Sequence, residues 1–554
     1  MEARDYIALA DNLRTERAAF EGGWDEMRRI IMPRATGNAY PDRVPDNGGG
    51  LEHSDVANNS LKKLASAHLT YITPLDRRWF TLRPVGFNKD GNQALNDWYS
   101  KVTEVMEREL AVSNFYSVIH EVYLDRCLTG TGCMFAEMNL NRKLIFRHIP
   151  TGTYAIAESE SGDVDTLVRW FRLTAHQAAQ KWQEDALGPK VRRALKDAKR
   201  RYTDSFEFVQ CVLPNPKGKL LSDHLPPDKR PWKDVIISLD DKKIVFESGF
   251  FEFPFLVTRF LRWGDSPYGV GPAWFARRTI RMAIDMEKIL YTLGQTKAYP
   301  RLFLLAKQYG EVDLRAGGQT VISPEAAEKV RQTAEQLYRL LDCDGFDIGL
   351  EYLRGLYAKI EEAFYVPMLE TVSRIDRQMT ATEVAAREAE KVLGFTPSFT
   401  LFVSDFRVMC QRIMALLYRA GKLPEPVQGV FEVNRRGAPT RLAVPQVQFM
   451  GKIAQAIART QTDGLMTALE SIGTLSQMTG RPELLDIVNL NKAGELIYDS
   501  KGAPMECKAS EDEVKKKETE RRNQQEAAMQ AALAEQSSVA NRNNAQAQQA
   551  LQTT

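Results

Sequence analysis

From the N-terminus, apolar side chains recur every three or four positions and the pattern stops at Met32-Pro33, predicting a helix over residues 1 to about 32. A turn-rich stretch, PRATGNAYPDRVPDNGGG, follows as a loop or arm. Helical spacing returns from Asp55 to Tyr71 and from Asn92 to Cys127, with Pro74, Gly91 and Gly130 as punctuation. The first third is therefore expected to be largely helical. Between Tyr202 and Arg262 the pattern shortens to runs rich in Val, Ile and Phe: FEFVQCVL, DVIISL, KIVFES and FLVTRFL. These read as strands, with Asp240-Asp241 at a hairpin tip.

After RWGDSPYGVGP the spacing predicts a helix over about Ala273 to Lys297, opened by Pro272 in its first turn. At ~1.5 Å per residue it spans roughly 37 Å. Arg278, Arg281, Asp285, Lys288, Thr292 and Gln295 fall on one face. Ile280, Ala283, Ile284, Met286, Ile289, Leu290 and Leu293 make the remaining face unusually broad and apolar. One packing neighbour does not need so wide a face, which points to neighbours on two sides.

A strand-like segment with glycine turns follows, YPRLFLLAKQYGEVDLRAGGQTVIS, then a helix from about Pro324 to Leu341 ended by DCDGFD. A second long helix begins near Asp347, with Leu353, Leu356, Ile360 and Phe364 at core spacing. It should kink or stop at Pro367, which cannot donate to the carbonyl of Ala363. At MTATEVAAREAEK, Thr380 and Glu383 form a capping box for a restarted helix, and Glu383 precedes Arg387 on the same face. Gly394 and Pro397 end it. A core helix runs from Ser398 through Phe402, Phe406, Met409, Cys410, Ile413 and Leu417 to Gly421. A short irregular section, further helices over roughly 445 to 498, and a charged then Gln/Asn-rich C-terminal helix and tail complete the chain.

Composition narrows the function classes. The 554 residues, 44% hydrophobic, suffice for more than one structural unit. With 74 Lys and Arg against 72 Asp and Glu the formal charge is +2, so no global field holds the chain on nucleic acid or an anionic membrane. Any DNA contact is local or transient. Six cysteines without CxxC spacing read as reduced thiols, and neither a signal peptide nor a transmembrane helix is expected.

Chemical motifs are sparse. No GxxxxGK[ST] loop, HExxH helix or GxSxG elbow occurs. GVG at 269 to 271 reads as a turn before a helix, LDCDGFD lacks the distal Glu of a calcium loop, and Asp240-Asp241 reads as a solvated tip. The histidines at 53, 68, 120, 148, 176 and 224 show no ligand or triad spacing, and Cys127 and Cys133 read as structural thiols. Neither a metal site, a cofactor nor a catalytic residue is expected. Two readings are open to the residues alone: a helical scaffold or adaptor that binds protein partners, and an enzyme of unfamiliar type using Cys127, Cys133 or the scattered histidines.

Four stretches point to a third reading, a structural channel protein. LTGTGCMFAE (128 to 137), GFFEFPFLVTRFLRWGDSPYGVGP (249 to 272), the helix pair with its intervening segment (273 to 372), and MTATEVAAREAEKVLG running on to LLYRAGKLPEP (379 to 426) together resemble the portal, or head-to-tail connecting, proteins of short-tailed double-stranded DNA phages. The resemblance implies an α+β, predominantly helical fold with wing, stem, clip and crown, assembled as a ring of identical subunits, typically twelve. It implies wing at 1 to 270, stem helices at 271 to 297 and 347 to 372, clip at 298 to 346, and tunnel loop at 373 to 382. Wing helices at 383 to 444, crown at 445 to 505 and a tail at 506 to 554 follow.

By the same resemblance the ring admits and releases double-stranded DNA at the capsid vertex. Its implied partners are further copies of the chain, the terminase large subunit, head-tail adaptor or nozzle proteins, and the major capsid and scaffold proteins. Its place is the virion, with the host cytoplasm during assembly. Arg278, Arg281, Lys288, Arg374 and Arg377 are candidate channel contacts, although the first three equally suit a solvated helix face. Arg301, Lys307 and Arg315 are candidate clip contacts with partners. Twelve stem units at ~10 Å between axes give a circle roughly 38 Å across, leaving about 28 Å after helix thickness, room for duplex DNA. Near-zero net charge suits a conduit, because each phosphate gripped would resist sliding.

Overall fold

A computed structural model describes residues 2–32, 53–84, 93–218, 225–299, 302–305, 319–322, 346–370, 396–427, 429–433, 439–450 and 452–479, with short pieces beyond. The chain divides into two units, residues 1–457 and 458–554. Helix α1 (Ala3–Ile31) and helix α2 (Asp55–Tyr71) follow the sequence periodicity, α2 opening on Ser54, whose hydroxyl accepts from the Ala57 amide. Strand β1 (Phe80–Arg83) leads to α3 (Gln93–Val112) and α4 (Phe115–Leu128). The continuous helical pattern expected to Cys127 is thus broken at Ser113-Asn114. The Asn114 side chain there brackets the backbone of Phe146, donating to its carbonyl at 2.8 Å and accepting from its amide at 2.9 Å.

After β1, strands resume at Thr131, well before the expected Tyr202. They are β2 (Thr131–Met138), β3 (Leu144–Ile149), β4 (Tyr154–Glu158) and β5 (Val164–Thr174). After short helices α5 (Ala175–Lys181), α6 (Pro189–Lys196) and α7 (Arg200–Thr203) come β6 (Ser205–Pro214), β7 (Trp232–Ser238), β8 (Lys243–Phe250) and β9 (Phe255–Arg259). One antiparallel sheet has the order β4-β5-β6-β7-β8, and a second has β3-β2-β9. β2 pairs Thr131 with Arg259 and Phe135 with Phe255, so its partner is remote in sequence.

The five-stranded sheet is buried on both faces. Tyr6, Ala10 and Leu13 of α1 pack on Val168, Trp170, Val209 and Val235. On the other face Ala178, Val191 and Ala194 of α5 and α6 cover Phe208, Ile236 and Val245. The C-terminal half of α1, with Trp24, Met27 and Ile31, enters the main core with α2, α3, α4 and β2.

Short strands β10 (Leu261–Arg262) and β11 (Gly269–Val270) precede α8 (Pro272–Ala298). Strands β12 (Leu302–Leu305) and β13 (Gln319–Ile322) pair in parallel. Helix α9 (Phe346–Ala363) stops before Pro367: Tyr365 has a left-handed φ of 60°, and a five-residue helix, α10 (Val366–Glu370), takes the proline in its first turn. The core helix α11 (Thr396–Arg419) buries Phe402, Phe406, Met409 and Ile413. The section expected to be irregular forms a pair, β14 (Phe431–Val433) with β15 (Pro439–Leu442). β16 (Gln446–Phe449) pairs with β1, and α12 (Lys452–Thr479) follows. The helix expected over Pro324 to Leu341 and the Thr380–Glu383 capping box lie outside the described residues.

Candidate channel and assembly site

The start of α8 is locked to the end of α4 by two glycine-bearing segments, LTGTG and PYGVGP. Gly130 has φ +94°, and a Cβ there would lie 2.4 Å from both the Gly269 carbonyl oxygen and the Val270 Cα. A Cβ on Gly271 would lie 2.5 Å from the carbonyl oxygen of Cys127. Only glycine permits this approach, which the Gly269 amide completes by donating to Thr131 Oγ1 at 2.9 Å. Tyr268, within the same turn, accepts from the Ile156 amide at 3.2 Å and packs its ring edge-on against Trp24. Pro272 then occupies the first helical position, where its missing N–H costs nothing. α8 therefore leaves the body of the protein in a fixed direction.

The broad apolar face of α8 resolves into two. Ile280, Ala283, Ile284 and Leu290 are buried within the chain. Against them packs α9, brought close by Gly349, where a Cβ would meet Leu290 Cδ2 at 2.9 Å and Met286 Cε at 3.0 Å. Tyr357 of α9 donates to Glu287 of α8 at 2.7 Å. Met286 and Leu293 are half-buried against the same core, whereas Phe275, Met282 and Ile289 are 56%, 39% and 52% exposed, Phe275 with its ring 6.5 Å from that of Trp263. The seven-residue spacing of these three sets them in one stripe along the helix. Ile348 and Tyr352 of α9 are also exposed.

Beside the apolar stripe runs the polar one. Arg278, Arg281 and Lys288 are all exposed. Arg281 is nevertheless engaged: it forms an ion pair with Glu26 of α1, which Arg277 also reaches at 3.4 Å. Arg281 and Lys288 line a groove of about 460 Å³ between α1 and α8, together with Glu26, Arg29 and Asp285. Arg278 forms no ion pair among the described residues. Arg374, Arg377, Arg301, Lys307 and Arg315 lie outside the described residues.

Buried polar groups that sequence reasoning left scattered are drawn together around α4. His148 Nε2 meets Asp125 Oδ2 at 2.8 Å, and its Nδ1 meets Glu121 at 3.2 Å. Burial alone would lower the His148 pKa, but the two carboxylates outweigh it and raise it to about 9. Burial alone would raise Asp125, yet His148, Arg28 and the Thr151 amide hold it below the usual carboxylate range. His148 is thus an imidazolium with a carboxylate at each nitrogen.

Cys127 does have a histidine partner, contrary to the spacing argument. Its Sγ lies 3.4 Å from His68 Nδ1. Both are fully buried; burial pushes the thiol up to about 12 and the imidazole well below its ordinary value. A neutral thiol beside a neutral imidazole, closed to solvent, supplies no nucleophile. Asp240 and Asp241 do more than solvate a tip. Asp241 accepts from the Lys190 amide at 3.2 Å at the start of α6, and Asp240 accepts from the Glu207 amide at 3.0 Å. Sequence reasoning also passed over Glu252, which binds Arg412 at 3.0 Å and Arg419 at 2.7 Å and ties the end of the β8–β9 loop to α11.

The sequence profile of the family described as bacteriophage head to tail connecting protein matches residues 3–507. The chain belongs to the bacteriophage head-to-tail connecting proteins. The resemblance seen in the four sequence stretches is thereby extended to nearly the whole chain, and the portal, or head-to-tail connector, function stands over that of a free helical scaffold or adaptor. Two curated relatives are similar along their lengths. A probable portal protein of Bordetella phage BPP-1 is 26% identical, over 94% of this chain and 91% of that protein. The portal protein of Salmonella phage epsilon15 is 23% identical, over the same shares.

Solved structures similar to this connector include a chain of the virion of a native gene transfer agent particle. It is 13% identical, with a TM-score of 0.32, over 75% of this chain and 86% of that one. A chain from the neck of an empty gene transfer agent particle is 14% identical, with a TM-score of 0.33, over 78% and 90%. Among the described residues, no helix of this connector is long and apolar enough to cross a membrane.

Proposed function

We propose that this connector assembles as a closed ring of identical subunits, most simply twelve, around a channel for double-stranded DNA. The observation that carries the reading is the exposed apolar stripe of α8, Phe275, Met282 and Ile289, lying beside a face already satisfied by α9. A stripe at this spacing suits a second helix, and a further copy of the chain supplies one on each side when the contacts close into a ring. In this reading the stem helices lie at 271 to 297 and 347 to 372, the clip at 298 to 346 and the tunnel loop at 373 to 382. The wing comprises residues 1 to 270, with the two sheets and α1 to α7, and residues 383 to 444, with α11; the crown follows at 445 to 505.

The channel serves DNA entry and exit, and no reaction is catalysed by the chain. Arg278, Arg374 and Arg377 are its DNA contacts; Arg281 and Lys288 take part from the α1–α8 groove. Arg301, Lys307 and Arg315 meet partners at the clip. The terminase large subunit, tail adaptor or nozzle proteins, and capsid and scaffold proteins dock on the ring, during assembly in the host cytoplasm and afterwards at the capsid vertex. Replacing Arg374 and Arg377 together by Glu tests the channel assignment: reduced packaged DNA length or retention is expected. Unchanged packaging and retention would remove both residues from the channel.

A further inference from the structure

Between Lys190 and Arg201, seven of twelve residues are Lys or Arg against a single Asp, in a chain whose whole formal charge is only +2. The fold turns this run outward. Val191 and Ala194 of α6 are buried against the five-stranded sheet, which leaves Arg192, Arg193 and Lys196 exposed on the opposite side of the helix, with Lys199 exposed just beyond it. None of these four forms an ion pair among the described residues. The one acidic residue of the run, Asp197, accepts from the amides of Lys199 and Arg200 at 2.9 and 3.1 Å and leaves the patch with an excess of positive charge. The nearby Asp204 is taken by Arg200 at 2.8 Å. Tyr202, 54% exposed, borders the patch, with the Arg201 guanidinium 4.9 Å from its ring centre and the His176 ring at 4.8 Å.

We infer that the outer surface of α6 and α7 is a second DNA-binding surface, separate from the channel, which holds the phosphate backbone of duplex DNA without reading sequence. Arg192 and Lys196 stand one helical turn apart, about 6 Å, and a duplex offers a phosphate charge every ~1.7 Å of its axis, so unpaired cations on an exposed helix find partners at any register. Arginines next to an exposed tyrosine suit phosphate contacts, the guanidinium by its fork of donors and the phenol by its hydroxyl. A conduit needs weak contacts inside and tolerates firm ones outside, and these four exposed cations lie on α6 and just beyond it, away from α8 in the sequence. The inference extends the connector reading in that DNA is the polyanion this protein handles, but it does not need threading.

That difference supplies the test. A covalently closed circular duplex cannot thread a preassembled ring, so its binding to the purified full-length assembly, followed across salt concentration, reports outer surfaces. The wild-type protein is expected to hold the circle at ~50 mM salt with a steep salt slope. The variant Arg192→Gln/Arg193→Gln/Lys196→Gln/Lys199→Gln is expected to lower that slope by about 3 to 4, at roughly 0.9 per lost phosphate contact. Arg192→Lys/Arg193→Lys, which keeps the charge, retains most binding and controls for folding. A linear duplex of equal length, whose ends can enter a channel, is compared in parallel, so failure of the channel reading shows separately. No retention of the circle by wild type at low salt, or equal slopes for wild type and the fourfold variant, overturns the inference. Tighter binding of polyglutamate than of the circle at matched charge also overturns it and assigns the patch to an acidic protein.

Discussion

The exposed apolar stripe of α8 makes a quantitative demand. Phe275, Met282 and Ile289 are 56%, 39% and 52% exposed in the single chain. About half of the ~1.5–3 kcal/mol that each gains on full burial is therefore still available to a neighbouring copy, about 1 kcal/mol apiece. Replacing all three by Ala removes about 3 kcal/mol per subunit interface, roughly a hundredfold in the association constant. Sedimentation velocity across a dilution series should show the assembly midpoint moving up by about two orders of magnitude. The fold of the subunit should survive, since Ile280, Ala283, Ile284 and Leu290 keep the intrachain face. An unchanged midpoint with an intact fold would refute the assignment of this face to the copy–copy contact.

Three further outcomes follow from the buried polar groups. Glu252→Gln leaves Arg412, 5% exposed, facing an amide in place of a carboxylate, and should lower unfolding free energy by about 3 kcal/mol in urea titration; a shift under 1 kcal/mol would mean that the arginines find other acceptors. His148 has its pKa raised to about 9, so its pairing stabilises the fold fully below its unfolded value and is lost as pH rises through 9. Asp125 is shifted down, so its contribution is present above the ordinary carboxylate range and lost in acid. Thermal melts should therefore fall off at both ends, and His148→Gln should flatten the alkaline limb; an identical limb in the variant contradicts the pairing. Finally, Cys127, Cys133, Cys211 and Cys410 are buried and should resist alkylation until the protein unfolds. Rapid native labelling of Cys127 would reopen the thiol-enzyme reading.

How much was legible in the sequence depended on whether an element's partners were local. α8 was readable to within a residue because its period and its Pro272 start are properties of one segment. β2 was not, because six of its residues are buried in succession and its partner β9 arrives only after the whole five-stranded sheet. β5 carries Asp165, Arg169 and Arg172, which interrupt its apolar run; Arg169 is accommodated by a 2.6 Å hydrogen bond to Gln210. The break between α3 and α4 depends on Asn114 finding Phe146, again a remote partner. At the candidate site, the polar stripe was visible in spacing alone. The division of the apolar face into a covered and an open half was not, since it depends on where α9 lies. The basic run from Lys190 to Arg201 was in plain view as composition, and its significance came only from seeing Val191 and Ala194 turned inward.

The central claim is that copies of this chain close around duplex DNA. Electron-microscopic reconstruction of the purified full-length protein tests it most directly. A closed ring is expected, with the α8–α9 stems lining a central opening of about 28 Å if there are twelve subunits at ~10 Å spacing between helix axes. Monomers or dimers under all assembly conditions, or an oligomer whose stems enclose no opening wide enough for duplex DNA, would contradict it.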